Sequence, residues 1–183
     1  MLSLDVTIPG PPVGQSRGRA GVVMTKNGPV MVNGRPIVRV HDPAKSRTWK
    51  ATAQDHIRDA MAGRELLEGP VVAIVESWIP LPATQHRKRA PVAAGWNLGA
   101  KDSDNLAKAV LDSANGVAWV DDRCVALLIS AKMTAAQGEP PRVRLRAMKL
   151  STFRAMSEAI VEVALRLDNA AVERTIESVG AGR

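Results

Sequence analysis

The apolar segment Val71–Ile79, with the sequence VVAIVESWI, is the feature that most constrains the fold of this chain. Gly69 and Pro70 precede it, and Pro80 and Pro82 follow it, so residues that interrupt regular structure bound it on both sides. Its many β-branched side chains predict the strongest strand of the sequence. The elements around this strand then decide the fold class.

Strands outnumber helices in the rest of the chain. The turn sequences KNG and NGR separate short β-rich runs between residues 20 and 41, which predicts hairpins. We also predict strands over 4–8, 117–120, 123–133 and 142–149 (the last edge-like), helices over 43–62 and 104–115, and a loop over 83–100. Because regular helical crossovers do not separate the strands, this order indicates an α+β fold. We expect a mixed, mostly antiparallel sheet with helices packed on one face.

The last part of the chain has a different pattern. Residues 151–170 predict a helix whose apolar side chains recur at spacings of three and four, as in a heptad seam. Two interpretations fit it equally: packing on its own domain, or contact between two copies of the chain. Residues 171–183 predict a frayed end, so we expect a domain over 1–150 and a helical extension over 151–183. The seam consists of Phe153, Met156, Ile160, Val163 and Leu167.

Charge is distributed unevenly along the chain. The net charge is +7, but residues 151–183 carry −1 and residues 102–122 carry −4, which leaves +12 on the rest of residues 1–150. A basic body indicates a polyanionic partner. A dense carboxylate cluster within it indicates a bound cation. The alternative is that basic chains are common and that acids cluster by chance.

Several kinds of site and location are excluded by what the sequence lacks. The single cysteine, Cys124, excludes an internal disulfide framework and a multi-cysteine zinc site, and we expect it to be a packing residue. His41, His56 and His86 share no metal-ligand spacing. There is no P-loop, dinucleotide-binding or nucleophile-elbow motif. Since neither a membrane-length apolar run nor a signal-peptide pattern occurs, we expect a soluble, cytoplasmic protein with no membrane partner.

The carboxylate cluster lies in residues 101–122, KDSDNLAKAVLDSANGVAWVDD. Asp102 and Asp104 lie two residues apart, and in an extended stretch both side chains point the same way. From Asp104 onward, helical spacing predicts an apolar face and an opposite polar stripe. A short strand then delivers Asp121 and Asp122. The polar stripe consists of Asp104, Lys108, Asp112 and Asn115.

Each acid has a purely structural explanation when it is taken alone: a helix cap for Asp104, an ion pair with Lys108 for Asp112, and a turn for the last two. Together, the acids repel one another unless a cation neutralises them. Oxygen ligands without histidine or cysteine suit Mg²⁺ or Mn²⁺, and such ions activate water in phosphodiester cleavage. Lys108, one turn from Asp104, is then suitably spaced to hold the phosphate.

The run D-x-D-N-L-x-K-A-V-L-D-x-x-N-G-V-x-W-x-D-D-x-x-V, residues 102–125, closely resembles the RusA family of Holliday junction resolvases. A looser resemblance in the N-terminal part extends it to residues 4–149. It implies a homodimeric, Mg²⁺-dependent endonuclease (Mn²⁺ is the alternative) that resolves four-way junction DNA by nicking two strands of like polarity. It also implies the site: catalytic and metal-binding Asp102, Asp104 and Asp122, catalytic Lys108, and Asp121 as a metal ligand ranked below Asp122.

Basic residues are the candidates for gripping the DNA arms. The most concentrated charge is the HRKR sequence in the loop 83–100, where phosphate contact is preferred over a merely solvated loop. Trp96 in this loop fits either base stacking or a hydrophobic anchor, and we prefer the anchor. The DNA-binding candidates are Arg17, Arg19, Lys26, Arg87, Lys88, Arg89 and Lys101.

Three departures from the family pattern bear on cleavage preference rather than on chemistry: polar Ser103, the pair Arg123-Cys124, and the long loop 83–100. Two other functions stay open. A non-catalytic branched-DNA-binding recombination accessory protein would gain nothing from acids that face DNA phosphate. A metal-dependent hydrolase of small phosphoesters would explain the carboxylates but not the basic surround.

Overall fold

A computed structural model describes residues 3–15, 18–41 and 43–158, without the side chains of residues 19, 40 and 41. The residues outside the described part of the chain include Arg17, Asp42 (which precedes the predicted helix 43–62) and the seam positions Ile160, Val163 and Leu167. Helices are α1 (Ala44–Ala60) and α2 (Ser103–Ala114), with 3₁₀ turns at Ala83–Gln85 and Asp122–Cys124, and residues 150–158 are also helical. The strands are β1 (Leu4–Pro9), β2 (Arg19–Val22), β3 (Met24–Thr25), β4 (Gly28–Pro29), β5 (Met31–Val32), β6 (Arg35–Pro36), β7 (Val38–His41), β8 (Val71–Ile79), β9 (Gly95–Trp96), β10 (Val125–Thr134) and β11 (Arg142–Lys149).

The main sheet has five strands in the order β1-β11-β8-β10-β9. The predicted strongest strand, β8, lies at its centre, where it pairs antiparallel with β11 and parallel with β10. The two remaining pairings, β1 with β11 and β9 with β10, are antiparallel. The predicted α+β class with a mixed, mostly antiparallel sheet is confirmed.

Strand β11 lies inside the sheet, so its assignment as edge-like was wrong. Its alternating pattern arises because Val143, Leu145 and Ala147 are buried, while the arginines between them lie on the opposite face. There Arg144 forms a two-bond ion pair with Asp5 of β1, at 2.7 and 2.8 Å. An alternating strand can therefore be interior when ion pairs satisfy its polar face.

Both helices contribute to one hydrophobic core with the sheet. Ala53, Ile57 and Met61 are buried along α1, as its apolar periodicity predicted. On α2 the predicted apolar face is buried, and Ala107 is buried with it. The sheet supplies Leu4, Ile8, Val71, Val75, Val143 and Leu145.

Two short predicted elements differ from the structure. Residues 117–120 form a turn in which only Trp119 makes isolated bridges, to Leu67 and Asn115, because the fully buried indole fixes this segment in the core. The following strand begins at Val125 rather than at residue 123, because residues 122–124 form a 3₁₀ turn. The loop 83–100 contains the two-residue strand β9.

Residues 18–41, which we call the β arm, form three two-stranded ladders: β2 with β7, β3 with β4, and β5 with β6. The predicted turns are present, with Asn33 and Gly34 at φ 50° and 75°. Two successive residues with positive φ are typical of the tight hairpin turn that an Asn-Gly pair favours. None of these ladders joins the main sheet.

Within the described residues, no helix is both long and apolar enough to cross a membrane.

Candidate active site

The first turn of α2 carries two of the predicted site carboxylates. Asp102 occupies the N-cap position, but its side chain does not cap the helix; its Oδ2 accepts a hydrogen bond from Nδ2 of Asn105 at 3.3 Å. Asp104 is exposed and makes no side-chain hydrogen bond or ion pair within the described part of the chain. The expected extended geometry was wrong, because the helix already begins at Ser103.

Lysine side chains fix the segment that leads into α2. Nζ of Lys101 donates to the carbonyl oxygen of Pro12 at 2.8 Å, and burial together with the charge of Lys45 lowers the pKa of Lys101. Lys101, predicted to bind DNA, therefore already has a structural contact. Nζ of Lys132 donates to the carbonyl oxygens of Gly99 (2.7 Å) and Lys101. Nothing in the sequence marks Lys132, because this contact joins residues distant along the chain.

The predicted polar stripe of α2 divides into two parts. Lys108, one turn beyond Asp104, is exposed and has no side-chain partner among the described residues. Asp112 forms an ion pair with Lys50 of α1 at 3.0 Å. The alternative pairing of Asp112 with Lys108 was therefore wrong, and Lys108 keeps its ammonium group available for a phosphate.

Asp121 and Asp122 lie at the start of the 3₁₀ turn before β10. Asp121 accepts hydrogen bonds from the backbone N–H of Arg123 at 2.9 Å and from its Nε at 2.8 Å. These bonds lower the pKa of Asp121 to about 2, chiefly through the side chain of Arg123. Asp122 is exposed at the first position of the turn. Asp121 thus has a structural role, and its ranking below Asp122 as a metal ligand stays a prediction.

The two groups of carboxylates lie at opposite ends of α2. The Oγ of Ser130 in β10 donates a hydrogen bond to the carbonyl oxygen of Ser103 at 3.3 Å, so the start of α2 lies beside Ser130. Asp122 precedes Val125, the first residue of β10, and the five-residue rise from Val125 to Ser130 spans about 16 Å. The twelve residues of α2 span roughly 18 Å. Asp122 is therefore on the order of 15–20 Å from Asp102 and Asp104 within one chain.

This separation decides how well a divalent metal fits. The exposed carboxylates supply the oxygen ligands that Mg²⁺ and Mn²⁺ prefer. In the described part of a single chain, however, no three acidic, histidine or cysteine side chains are grouped to hold a metal ion. The donor chemistry fits the ion, and the position of Asp122 does not fit a site made by one chain.

The predicted DNA-binding residues lie in three regions. Lys26 is exposed at a turn of the β arm; Arg17 and the side chain of Arg19 lie outside the described residues. Arg87, Lys88 and Arg89 are exposed in a loop that Gln137 holds through hydrogen bonds to Arg87, at 2.8 and 3.0 Å. Trp96 is 74% exposed, so the anchor interpretation was wrong, and base stacking stays a prediction.

The family model described as endodeoxyribonuclease RusA matches residues 9–147 of the chain. The match includes the β arm, both α-helices and the candidate site residues Asp102, Asp104, Asp121 and Asp122. No curated protein matches this chain.

Proposed function

The chain belongs to the RusA family of endodeoxyribonucleases, nucleases that act on branched DNA, and from this premise we propose that it resolves Holliday junctions by paired, metal-dependent nicking of strands of like polarity. The observation that carries the proposal is the first turn of α2. There Asp102 and Asp104 are exposed, and Lys108, which has no side-chain partner among the described residues, lies one turn beyond Asp104. The strongly basic remainder of the chain suits a DNA substrate.

Asp102, Asp104 and Asp122 are the proposed metal ligands. The chemistry that bound Mg²⁺ or Mn²⁺ supplies is an activated water and neutralisation of charge on the phosphate. Lys108 contributes a positive charge where negative charge develops on the phosphate oxygens. Lys132 and Lys101 act as positioning residues, because their hydrogen bonds hold the segment before α2 against β10 and Pro12.

A homodimer resolves the disagreement between ligand chemistry and position. Strand β10 pairs with β9 only at Met133 and Thr134, so residues 125–131 have a free edge among the described residues. Leu128 and Ile129 are 41% and 40% exposed on this strand. A free apolar edge favours pairing with another strand. A four-way junction with two-fold symmetry also needs two equivalent sites.

We propose that two β10 strands pair antiparallel around a two-fold axis at Leu128, because directly opposed residues must lie on the same face of the sheet. In that register, Ala126 of the partner subunit lies opposite Ser130, which contacts Ser103. The partner subunit's Asp122 then approaches Asp102 and Asp104, and each metal site takes ligands from both chains. One dimer would hold two such sites, one for each strand to be nicked.

The two alternative functions are less well supported. A non-catalytic accessory protein gives no reason for Asp102 and Asp104, which form no ion pair among the described residues, since they would repel the DNA backbone. A hydrolase of small phosphoesters gives no reason for the basic residues of the β arm and the loop 83–100.

One assay compares all three functions. The protein is incubated with a synthetic four-way junction, a linear duplex and a nucleotide, each with and without Mg²⁺. The proposal expects symmetric nicks in the junction only, and only with Mg²⁺. Hydrolysis of the nucleotide would instead support the phosphoester hydrolase, and junction binding without cleavage would support the accessory protein.

Cross-linking provides a direct test of the interface, because the chain has a single cysteine, which Cys124→Ser removes. In the proposed register the two Leu128 residues of a dimer lie opposite each other, so Leu128→Cys in the Cys124→Ser background should form a disulfide between two chains under mild oxidation. The matched control, in the same background, is Thr7→Cys on β1, at the opposite edge of the sheet. Equal cross-linking of both variants, or of neither, would contradict this interface.

A further inference from the structure

We propose that the β arm is a branch-point wedge, in which exposed methionine and valine side chains contact unstacked bases at the centre of a DNA junction. The inference rests on the proposed function and adds how a branch is distinguished from a linear duplex. The observations that carry it are the construction of the arm, its exposed apolar side chains, its charge and its attachment beside Asp104.

Backbone hydrogen bonds hold the three ladders of the arm in one body. The N–H of Val23 donates to the carbonyl oxygen of Ile37 at 2.8 Å. The N–H of Ile37 donates in turn to the carbonyl oxygen of Val30 at 2.9 Å, and the N–H of Val30 donates to the carbonyl oxygen of Val23 at 2.8 Å. The three residues follow one another at intervals of seven positions, and their three hydrogen bonds close a ring. The ring fixes the direction of both hairpins, so the arm has a defined shape without a hydrophobic core of its own.

Apolar side chains of the arm are exposed. No side chain that the structure describes between residues 18 and 39 is buried. Exposed apolar groups concentrated on one projecting segment indicate a binding surface rather than a folding core. The exposed fractions are 44% for Val22, 65% for Met24, 52% for Met31, 52% for Val32 and 56% for Val38.

The positive charge of the arm indicates what kind of partner it binds. There is no acidic residue between Asp5 and Asp42, whereas that interval contains five basic residues. Lys26 lies in the turn between β3 and β4, and Arg35 directly follows the turn between β5 and β6. Two arms of like charge repel each other, so contact with a second copy is disfavoured, and a polyanion is favoured. Nucleic acid also offers apolar base faces beside its phosphates.

The arm begins three residues after Gln15, which contacts the helix turn of the proposed cleavage site. The N–H of Gln15 donates to the carbonyl oxygen of Asn105 at 2.8 Å, and Gly14 packs against Asn105. From residue 19 to the turn at Lys26, seven residues in extended conformation reach about 23 Å. This reach is comparable to the diameter of a duplex. An arm of fixed shape at this position keeps the branch point at a set distance from the scissile phosphate.

The proposed contact follows known energetics of DNA deformation. Methionine and other apolar side chains insert between base steps and stabilise kinked DNA, at the cost of unstacking. At the centre of a junction the stacking is already interrupted, so this cost is smaller than in a linear duplex. Met24 and Met31 therefore add affinity for the junction alone, while Lys26 and Arg35 contact phosphates on either substrate.

The test compares Met24→Ser/Met31→Ser with the matched pair Met24→Leu/Met31→Leu. Both are made in the Asp104→Asn background, so that binding is measured without cleavage. Dissociation constants are measured for a four-way junction and a linear duplex, and 2-aminopurine next to the branch reports unstacking. The serine pair should weaken junction binding about tenfold and abolish the fluorescence increase, with duplex binding unchanged. The leucine pair should behave as the parent.

Other results overturn the inference in distinguishable ways. Equal weakening of junction and duplex binding would make the methionines general DNA contacts. Unchanged binding of both substrates would show that the methionines do not contribute to DNA binding. A change in the mass of the free protein would assign the arm to contact between copies. If the correctly folded Asp104→Asn parent binds no four-way junction, the proposed function itself fails, and the inference that rests on it fails with it.

Discussion

The backbone N–H of Gln15 donates a 2.8 Å hydrogen bond to the carbonyl oxygen of Asn105, one residue beyond Asp104. This bond joins the segment before the β arm to the helix turn that carries two of the candidate site carboxylates. In the same turn, the carbonyl oxygen of Ser103 accepts a hydrogen bond from Ser130 of β10. The candidate site is therefore contacted both by the segment that leads into the arm and by β10.

Lys108→Ala should reduce the single-turnover rate of junction cleavage by about 10²–10³-fold, with junction binding little changed. The reason is that Lys108 is exposed one turn from Asp104 and has no side-chain partner among the described residues, so its positive charge is available to the phosphate. Lys108→Arg should keep part of the rate, since it keeps the charge. Rapid-quench kinetics with saturating enzyme measure this, and an unchanged rate for Lys108→Ala would remove Lys108 from the site.

Asp112→Asn should lower the free energy of unfolding by about 1 kcal/mol and leave cleavage intact. Asp112 shares the polar side of α2 with Asp104, but its carboxylate forms an ion pair with Lys50 of α1. Urea unfolding and the junction assay, carried out on the same preparation, measure the two effects. Loss of cleavage in a fully folded Asp112→Asn protein would contradict this assignment.

The ion pair between Asp5 and Arg144 should make stability dependent on pH. Hydrogen bonds from Arg144 lower the pKa of Asp5 below its ordinary value. A carboxyl with a lowered pKa in the folded state stabilises the fold above its unfolded pKa, and this stabilisation is lost as pH falls through the folded pKa. Both side chains are partly exposed, so Asp5→Asn should cost about 0.5–1 kcal/mol at pH 7, and this cost should decrease as the pH falls through the folded-state pKa of Asp5. A cost independent of pH would contradict the ion-pair explanation.

The sequence predicted more of the main sheet than of the candidate site. The run VVAIVESWI predicted the central strand because its many β-branched residues and flanking prolines are local signals. The interior place of β11 could not be predicted, since it depends on the partners that Asp5 and Glu76 provide for its arginines. Local pattern also suggested one compact carboxylate cluster. The twelve-residue length of α2 separates its members, and only the fold shows where β10 returns.

Removal of residues 159–183 should leave the dimer intact if the β10 edge is the interface. The predicted heptad seam continues into that segment through Ile160, Val163 and Leu167. Analytical ultracentrifugation of the truncated chain at micromolar concentration measures the mass. Dissociation into monomers would show that the heptad seam forms the dimer contact, and would contradict an interface at the free edge of β10.

The most direct test of the account mixes two inactive variants, Asp104→Asn and Asp122→Asn, and allows their subunits to exchange. If each site takes Asp102 and Asp104 from one chain and Asp122 from the other, a mixed dimer has one doubly altered site and one unaltered site. The account predicts that the mixture recovers single nicks in a four-way junction with Mg²⁺, although neither variant cuts alone. Absence of nicking from verified mixed dimers would contradict the shared site.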